Sequence, residues 1–388
     1  MDVATVPGVD PHGAPRGPGT SRPGLVPPSW GWVWKLRLPR QPMLRHLVLA
    51  LGGGAVLFGV TSVISSYDDY QVAQIGFTAV AIAGLSLLTG ANGQISLGQG
   101  AFIMVGAYGA GLMLVHTTLP VFLALFVGVV VSAAAGVLIG LPASRLRGPY
   151  LAGMTLALAI GLPALPLKFS KTFAGEQGLS INPLQPPGTV DPQRWLAWYV
   201  LAAVLIALVL LGNLMRSRYG RAFRAVRDDE VAAALSGISV ARTQVLAFAV
   251  SAGAAGLAGG LRGLATGGVV PDAFSVALSI SLLAGMVLGG TGSLLGAWWG
   301  AAILVYAPQW ATSVASSLHL RPGQGSNLAL LFYGVVLVVV VLLVPQGVQG
   351  GLRQLAASTG RRLRGDGAVR SEGVSTVKPT LREGEELP

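Results

Sequence analysis

Apolar residues recur along the chain in blocks roughly twenty long, from Leu44 to Val344, separated by short polar, glycine-rich or proline-rich breaks. About twenty predominantly apolar residues let a helix cross the hydrocarbon core of a bilayer. The pattern predicts an all-α polytopic membrane protein with about ten transmembrane helices, near 44–64, 72–89, 97–115, 119–142, 149–166, 196–214, 244–264, 276–290, 295–314 and 327–344. Prolines from Pro7 to Pro28 break up the first segment, which reads as a disordered tail over 1–42. A transmembrane domain follows over 43–345, with a charged loop at about 215–243, and 346–388 reads as a second disordered tail.

Composition agrees with the pattern. Hydrophobic residues make up 52% of the chain and charged residues only 11%, and the mean hydropathy is +0.66, which excludes a soluble domain because one core could not cover that much apolar surface. The net charge of +11 could suggest nucleic acid, but most of the basic residues flank apolar blocks, where positive charge sets membrane orientation. Arg145, Arg147, Arg216, Arg218, Arg221, Arg224, Arg227, Arg242, Arg353, Arg361, Arg362 and Arg364 fall on one side of the ten-span topology. Lys168, Lys171, Arg194 and Arg321, with Asp68 and Asp69, fall on the other. The asymmetry predicts both termini in the cytoplasm and no nucleic-acid partner. There is no cysteine, and His12, His46, His116 and His319 are scattered, so no metal or thiol chemistry is visible.

Four stretches break the apolar monotony. Gly90-Ala-Asn-Gly-Gln-Ile-Ser-Leu-Gly-Gln-Gly100 puts amides and glycines between two apolar blocks. It is either an interrupted helix, tolerated at membrane depth only where protein or a cavity satisfies its backbone, or a cytoplasmic turn formed by Asn92 and Gly93. Gln94, Ser96 and Gln99, near helical spacing, would form a polar, pore-facing strip. Gly289-Gly-Thr-Gly-Ser-Leu-Leu-Gly296 is glycine-rich but lacks the Lys-Ser or Lys-Thr of a phosphate loop, and so reads as a tight turn between helices. Pairs such as Gly136 and Gly140, Gly285 and Gly289, and Gly296 and Gly300 let a neighbouring helix dock closely. Arg262, near a span end, either marks a functional site or extends its head to the interface, with Asp272 as a candidate partner. The loop 169–193 is a connector or part of a docking surface.

Tyr219–Gly237 is the most densely charged segment. Arg224 with Asp228 and Arg227 with Glu230 stand at helical pair spacing, Phe223, Val226 and Ala233 form an apolar strip, and Gly237 supplies a helix stop. A short cytoplasmic helix and an ordinary arginine-rich loop both fit these residues.

Together the blocks Gly84-Leu-Ser-Leu-Leu-Thr-Gly90, Gly93-Gln-Ile-Ser-Leu-Gly98 with Gly106-Ala-Tyr108, Gly220-Arg-Ala-Phe-Arg-Ala-Val-Arg-Asp-Asp-Glu230 and Gly289–Gly296 resemble the permease subunits of branched-chain amino acid ABC importers, particularly the LivM-like branch. The Ala232-Ala233-x3-Gly237 spacing is similar to the loop signature by which such permeases dock on their ATPases. The resemblance implies a bacterial inner-membrane transport subunit that catalyses no bond chemistry and binds no cofactor. It implies partners: a second permease, two ATPase subunits that use ATP and Mg, an extracytoplasmic substrate-binding protein and membrane lipid. It further implies an ATPase-coupling role for Gly220, Arg221, Phe223, Arg224, Val226, Asp228, Glu230, Ala232, Ala233 and Gly237, and a translocation path past Asn92, Gln94, Ser96, Gln99 and Tyr108. Gln99, Asn92 and Arg262 depart from residues common among relatives, which leaves urea and short-chain amides open beside branched-chain and other hydrophobic amino acids. An ion-coupled secondary transporter is the alternative class, though its mechanism usually places ionisable residues within spans, and here Arg262 is the exception among spans nearly free of them.

Overall fold

A computed structural model describes residues 66–146, 148–182, 186, 188, 190–317 and 347–351, with Gly52, Gly59, Gly334, Val335 and Val338 as isolated positions. The described helices are α1 (Ser66–Leu85), which continues into a π-helical turn over Ser86–Ala91, then α2 (Gln99–His116), α3 (Val121–Ala143), α4 (Pro149–Gly161) and α5 (Ala164–Lys168). They continue as α6 (Ser170–Phe173), α7 (Pro192–Arg216), α8 (Arg218–Asp228), α9 (Glu230–Leu235), α10 (Val240–Thr266), α11 (Val276–Gly289) and α12 (Leu294–Ser317). Among the described residues, seven segments are long and apolar enough to cross a membrane, from Asp68–Ala91 to Pro271–Gly289, and they coincide with the second to eighth expected spans. The 24 residues of α12 fall on the ninth. The first and tenth spans and the 1–42 tail lie outside the described residues, and so does the 346–388 tail except at 347–351, which is helical.

Local chemistry sets several boundaries. Pro149 and Pro192 occupy first-turn positions, where a missing N–H costs nothing. The Asp191 carboxylate accepts from Gln193 N at 2.8 Å and Arg194 N at 3.3 Å, capping α7. Loop 169–193, expected as a connector or docking surface, contributes α6 and a two-residue strand β1 (Leu179–Ser180). This pairs antiparallel with β2 (Gly268–Val269), matching Leu179 to Val269 and Ser180 to Gly268. The ribbon marks one end of the bundle, beside the α1–α7 contact where Arg194 Nε lies 3.4 Å from Asp69 Oδ2.

The centre is a seam of α2, α3 and α10. Gly106 faces the backbone of Gly256, and Gly259 faces the Ile103 carbonyl. A methyl group on Gly128 would come within 2.7 Å of Gly106 O, and one on Gly136 within 2.5 Å of Ala252 Cβ. The Ser132 hydroxyl lies 2.9 Å from Phe102 O and 2.7 Å from Ala252 O, so α3 is tied to both neighbours. Burial of apolar surface does not drive helices together in lipid, and close backbone contact supplies the attraction instead. The expected pair Gly136 and Gly140 faces α10, while Gly289 and Gly300 bring α11 and α12 together at Gly296 and Gly285. The 290–293 stretch is the expected tight turn.

Gly256→Val, which forces a branched side chain against Ser132 and Gly128, is expected to destabilise the bundle by about 1–3 kcal/mol. Ser132→Ala should cost less, about 0.6 kcal/mol. Thermal unfolding of the purified chain in detergent checks the order; equal effects would contradict the seam.

Candidate functional site

The interruption combines a turn with a non-helical return whose polar side chains are buried and whose Ile95 is exposed. The span that begins at Asp68 ends at Ala91, the chain reverses at Asn92 and Gly93, and residues 94–98 run without helix before α2 begins at Gln99. Gln99 Nε2 donates to Ala81 O at 3.0 Å. Ala81 precedes Ala91 by ten residues, so α2 starts about 15 Å into the bundle by helical rise. The backbone donors that this leaves free are satisfied by side chains: Leu97 N donates to Thr155 Oγ1 at 3.0 Å, Gly98 N to Ser96 Oγ at 3.2 Å, and Gly100 N to Ser279 Oγ at 2.9 Å. Those donors would otherwise be costly in lipid. Gln99 also accepts from Ser251 Oγ at 3.3 Å, which links α1 to α10.

Asn92, Gln94, Ser96 and Gln99 are all buried, and Asn92 Nδ2 donates to Gln94 Oε1 at 2.8 Å. Asn92 Oδ1 and Gln94 Nε2 are buried without a hydrogen-bond partner. Tyr108 is not part of this cluster. It packs edge-on against Phe173, with ring centroids 5.3 Å apart, toward the ribbon end, and its buried hydroxyl is likewise unpartnered.

The charged segment folds as two helices rather than one. Asp229 leaves the helical conformation at φ −159° and ψ 112°, and its carboxylate accepts from Val231 N at 2.8 Å and Ala232 N at 3.0 Å. The break separates the expected pair of Arg227 with Glu230, and the expected pair of Arg224 with Asp228, both within α8, gives way to another contact. Arg224 Nη1 donates to Met215 O at 3.1 Å, and Gln244 Nε2 donates to Glu230 Oε1 at 3.0 Å. Arg227 Nη2 lies 2.8 Å from Asp228 Oδ1. Gly220 packs directly on the Met215 backbone, where a side chain would clash. Gly237, at φ +82°, ends α9 as expected. Its N–H donates to Ala234 O, and Ile238 N to Ala233 O, both at 3.0 Å.

The apolar strip is turned inward. Phe223 is 0% exposed, and Val226 and Ala233 are also buried, so these residues anchor the pair of helices to their own chain. On α9 the exposed branched side chains are Val231 at 68% and Leu235 at 85%, one helical turn apart, beside the exposed Ala232 and Ala234. Arg221 is exposed as well.

Arg227 joins the two regions. Its Nη1 donates to Gly90 O at 2.8 Å, inside the π-helical turn. That turn meets the next one: Gly292 N donates to Ser86 Oγ at 2.9 Å, and Gly90 lies against the Gly292 backbone. Gly347 packs on Gly290 from the chain's later part. Residues 90 and 227 stand 137 apart, and no local pattern announces their contact. At the ribbon end the Arg262 guanidinium sits 5.4 Å from the Phe274 ring centroid, so an aromatic face takes the place expected for Asp272. Among the described residues, no group of three or more His, Asp or Glu side chains could hold a metal ion.

Residues 49–341 match a protein family described as the branched-chain amino acid transport system permease component. The high-affinity branched-chain amino acid transport system permease protein LivM of Salmonella typhimurium is 32% identical over 290 residues, 68% of this chain and 66% of that protein. The chain thus matches just under two thirds of the length of that relative. The permease protein LivH of Escherichia coli K12 is 28% identical over 302 residues, 71% of this chain and 92% of LivH. The fructose import permease protein FruG of Bifidobacterium longum is 27% identical over 264 residues, 66% of this chain and 75% of FruG. No solved structure matches.

Asp229→Ala should remove the cap of α9 at a cost of about 1 kcal/mol. Hydrogen exchange should then quicken at the Val231 and Ala232 amides and not at Phe223; unchanged exchange at all three would contradict the capping.

Proposed function

Because this chain belongs to the family of branched-chain amino acid transport permease components, matched over residues 49–341, we propose that it is a membrane-spanning subunit of an ATP-binding-cassette importer. In this reading it sits in a bacterial inner membrane, beside a second permease, with two ATPases at the arginine-rich cytoplasmic end and a substrate-binding protein at the ribbon end. ATP and Mg act in the partner ATPases. The substrate is a branched-chain or other hydrophobic amino acid, in keeping with the LivM and LivH relatives. The FruG relative makes a sugar the second substrate class to test, and urea or a short-chain amide the third.

The observation that carries the reading is the two-faced pair α8–α9. One face is anchored in the bundle by Phe223, Val226 and Ala233, and the other presents Val231 and Leu235 outward. An apolar ridge in an otherwise charged segment suits a groove on an ATPase. Nucleotide-driven movement of that groove would displace α8, and Arg227 would carry the displacement to Gly90 through its 2.8 Å hydrogen bond. Alternating access needs such an element, one biased differently by each state of the partner. The interruption is the path element in this scheme. Asn92 Oδ1 and Gln94 Nε2, unpartnered in the closed arrangement, would meet water or substrate when the cluster opens. Ser96 and Gln99 hold the backbone, and Tyr108 lies further along toward the ribbon.

Leu235→Asp should reduce ATP-driven uptake in proteoliposomes at least ten-fold, by weakening ATPase attachment, while the protein still inserts. Arg227→Gln should instead leave the ATPase attached and hydrolysing but lower the uptake per ATP. Normal uptake in both variants would overturn the coupling reading.

A further inference from the structure

We propose that the pocket between the arginine-rich ends of α3 and α10 binds an anionic phospholipid. The pocket has a volume of about 710 Å³ and is bounded by Leu141, Pro142 and Arg145 on one side and Arg242, Val245 and Leu246 on the other. That volume falls within the roughly 300–1,000 Å³ of ordinary ligand sites.

Its chemistry is divided as a lipid's is. The deeper wall is apolar and continues onto the outer face of α3, where Val137, Leu138 and Leu141 are exposed. Only 28% of the apolar stretch of α3 is buried inside the chain, which leaves this face open to acyl chains. The mouth carries Arg145 and Arg242, both exposed. Neither guanidinium makes a hydrogen bond or ion pair with a described residue, whereas Arg227 and Arg194 in the same chain do. A cation pair left open at the polar end of an apolar pocket matches a phosphate headgroup above hydrocarbon tails, and basic pockets between spanning helices hold anionic lipids in this way.

The position gives the lipid a consequence. Arg242 lies in the first turn of α10, and Gln244, two residues on, holds Glu230 of α9 at 3.0 Å. A headgroup fixed on Arg242 would steady the turn that supports the α9 ridge. The binding claim itself rests only on the chain lying in a membrane, not on the transport reading.

The test is native mass spectrometry of the full chain released from mixed phosphatidylglycerol and phosphatidylcholine nanodiscs. The wild type should retain phosphatidylglycerol in preference. Each arginine beside an anionic headgroup is worth roughly five-fold in affinity, so R145Q/R242Q should weaken retention about 30-fold. Ala241→Trp, which fills the pocket from an exposed position with both charges intact, should also lose the lipid, and it serves if the double variant fails to fold. Millimolar inorganic phosphate should not displace the lipid. Equal retention of both lipids, retention unchanged in the filled variant, or displacement by phosphate alone would overturn the proposal. So would recovery of a partner protein, rather than lipid, at this pocket in the assembled complex.

Discussion

The Ser132 hydroxyl sits between the carbonyls of Phe102 and Ala252, at 2.9 and 2.7 Å, in a seam where glycines leave no room for side chains. The rest of the bundle is arranged around this glycine-lined seam. In lipid, helix association depends on close packing and interhelical hydrogen bonds, and α10 is the helix that meets both α2 and α3 here. Its first turn supports α9 through Gln244 and Glu230, and its middle reaches Gln99 through Ser251. A single packed helix therefore touches both the charged pair of helices and the buried polar cluster.

The second constraint is the backbone of the interruption. Residues 94–98 could not lie inside a bundle without donors and acceptors from elsewhere. Thr155 of α4 takes the Leu97 N–H, and just beyond the stretch, where α2 begins, Ser279 of α11 takes the Gly100 N–H and Ala81 O of α1 the Gln99 side-chain amide. Three helices are thus committed to one short stretch, and a shift of the π-helical turn must be felt by all of them. The Arg227–Gly90 hydrogen bond places the charged pair directly on that turn, and single π-helical turns within longer helices are common where function demands a deformable element.

Much of this was legible in the sequence, and the failures have physical causes. Spans could be placed because bilayer thickness sets their length, and Gly136 with Gly140 named a face that does meet α10. The strip of Phe223, Val226 and Ala233 was legible as one face of a helix. Amphipathic spacing says that one side is buried without saying by what, and here it is buried by the chain itself. The Arg227–Glu230 pair assumed an unbroken helix, yet the side chain of Asp229 bonds its neighbours' amides and starts a new one, while Arg224 turns from Asp228 in its own helix to the Met215 carbonyl. The π-turn junction depends on residues 137 positions apart and carries no periodic signal. The two-residue strands are too short to show alternation. Gly90–Gly100 had two competing readings because it contains both, a turn at its start and a non-helical return with buried polar side chains after it.

The central claim is that movement of α9 is delivered to the interruption as one piece. The chain has no cysteine, so spin labels can be placed in pairs at three exposed positions: Leu235 on α9, Ile95 in the interruption and Ser180 on the ribbon. Double electron–electron resonance on the assembled complex, free and nucleotide-trapped, reads the three distances. The account predicts that the separation of 95 and 235 stays constant while both change against 180. A change between 95 and 235, with 95 fixed against 180, would contradict it.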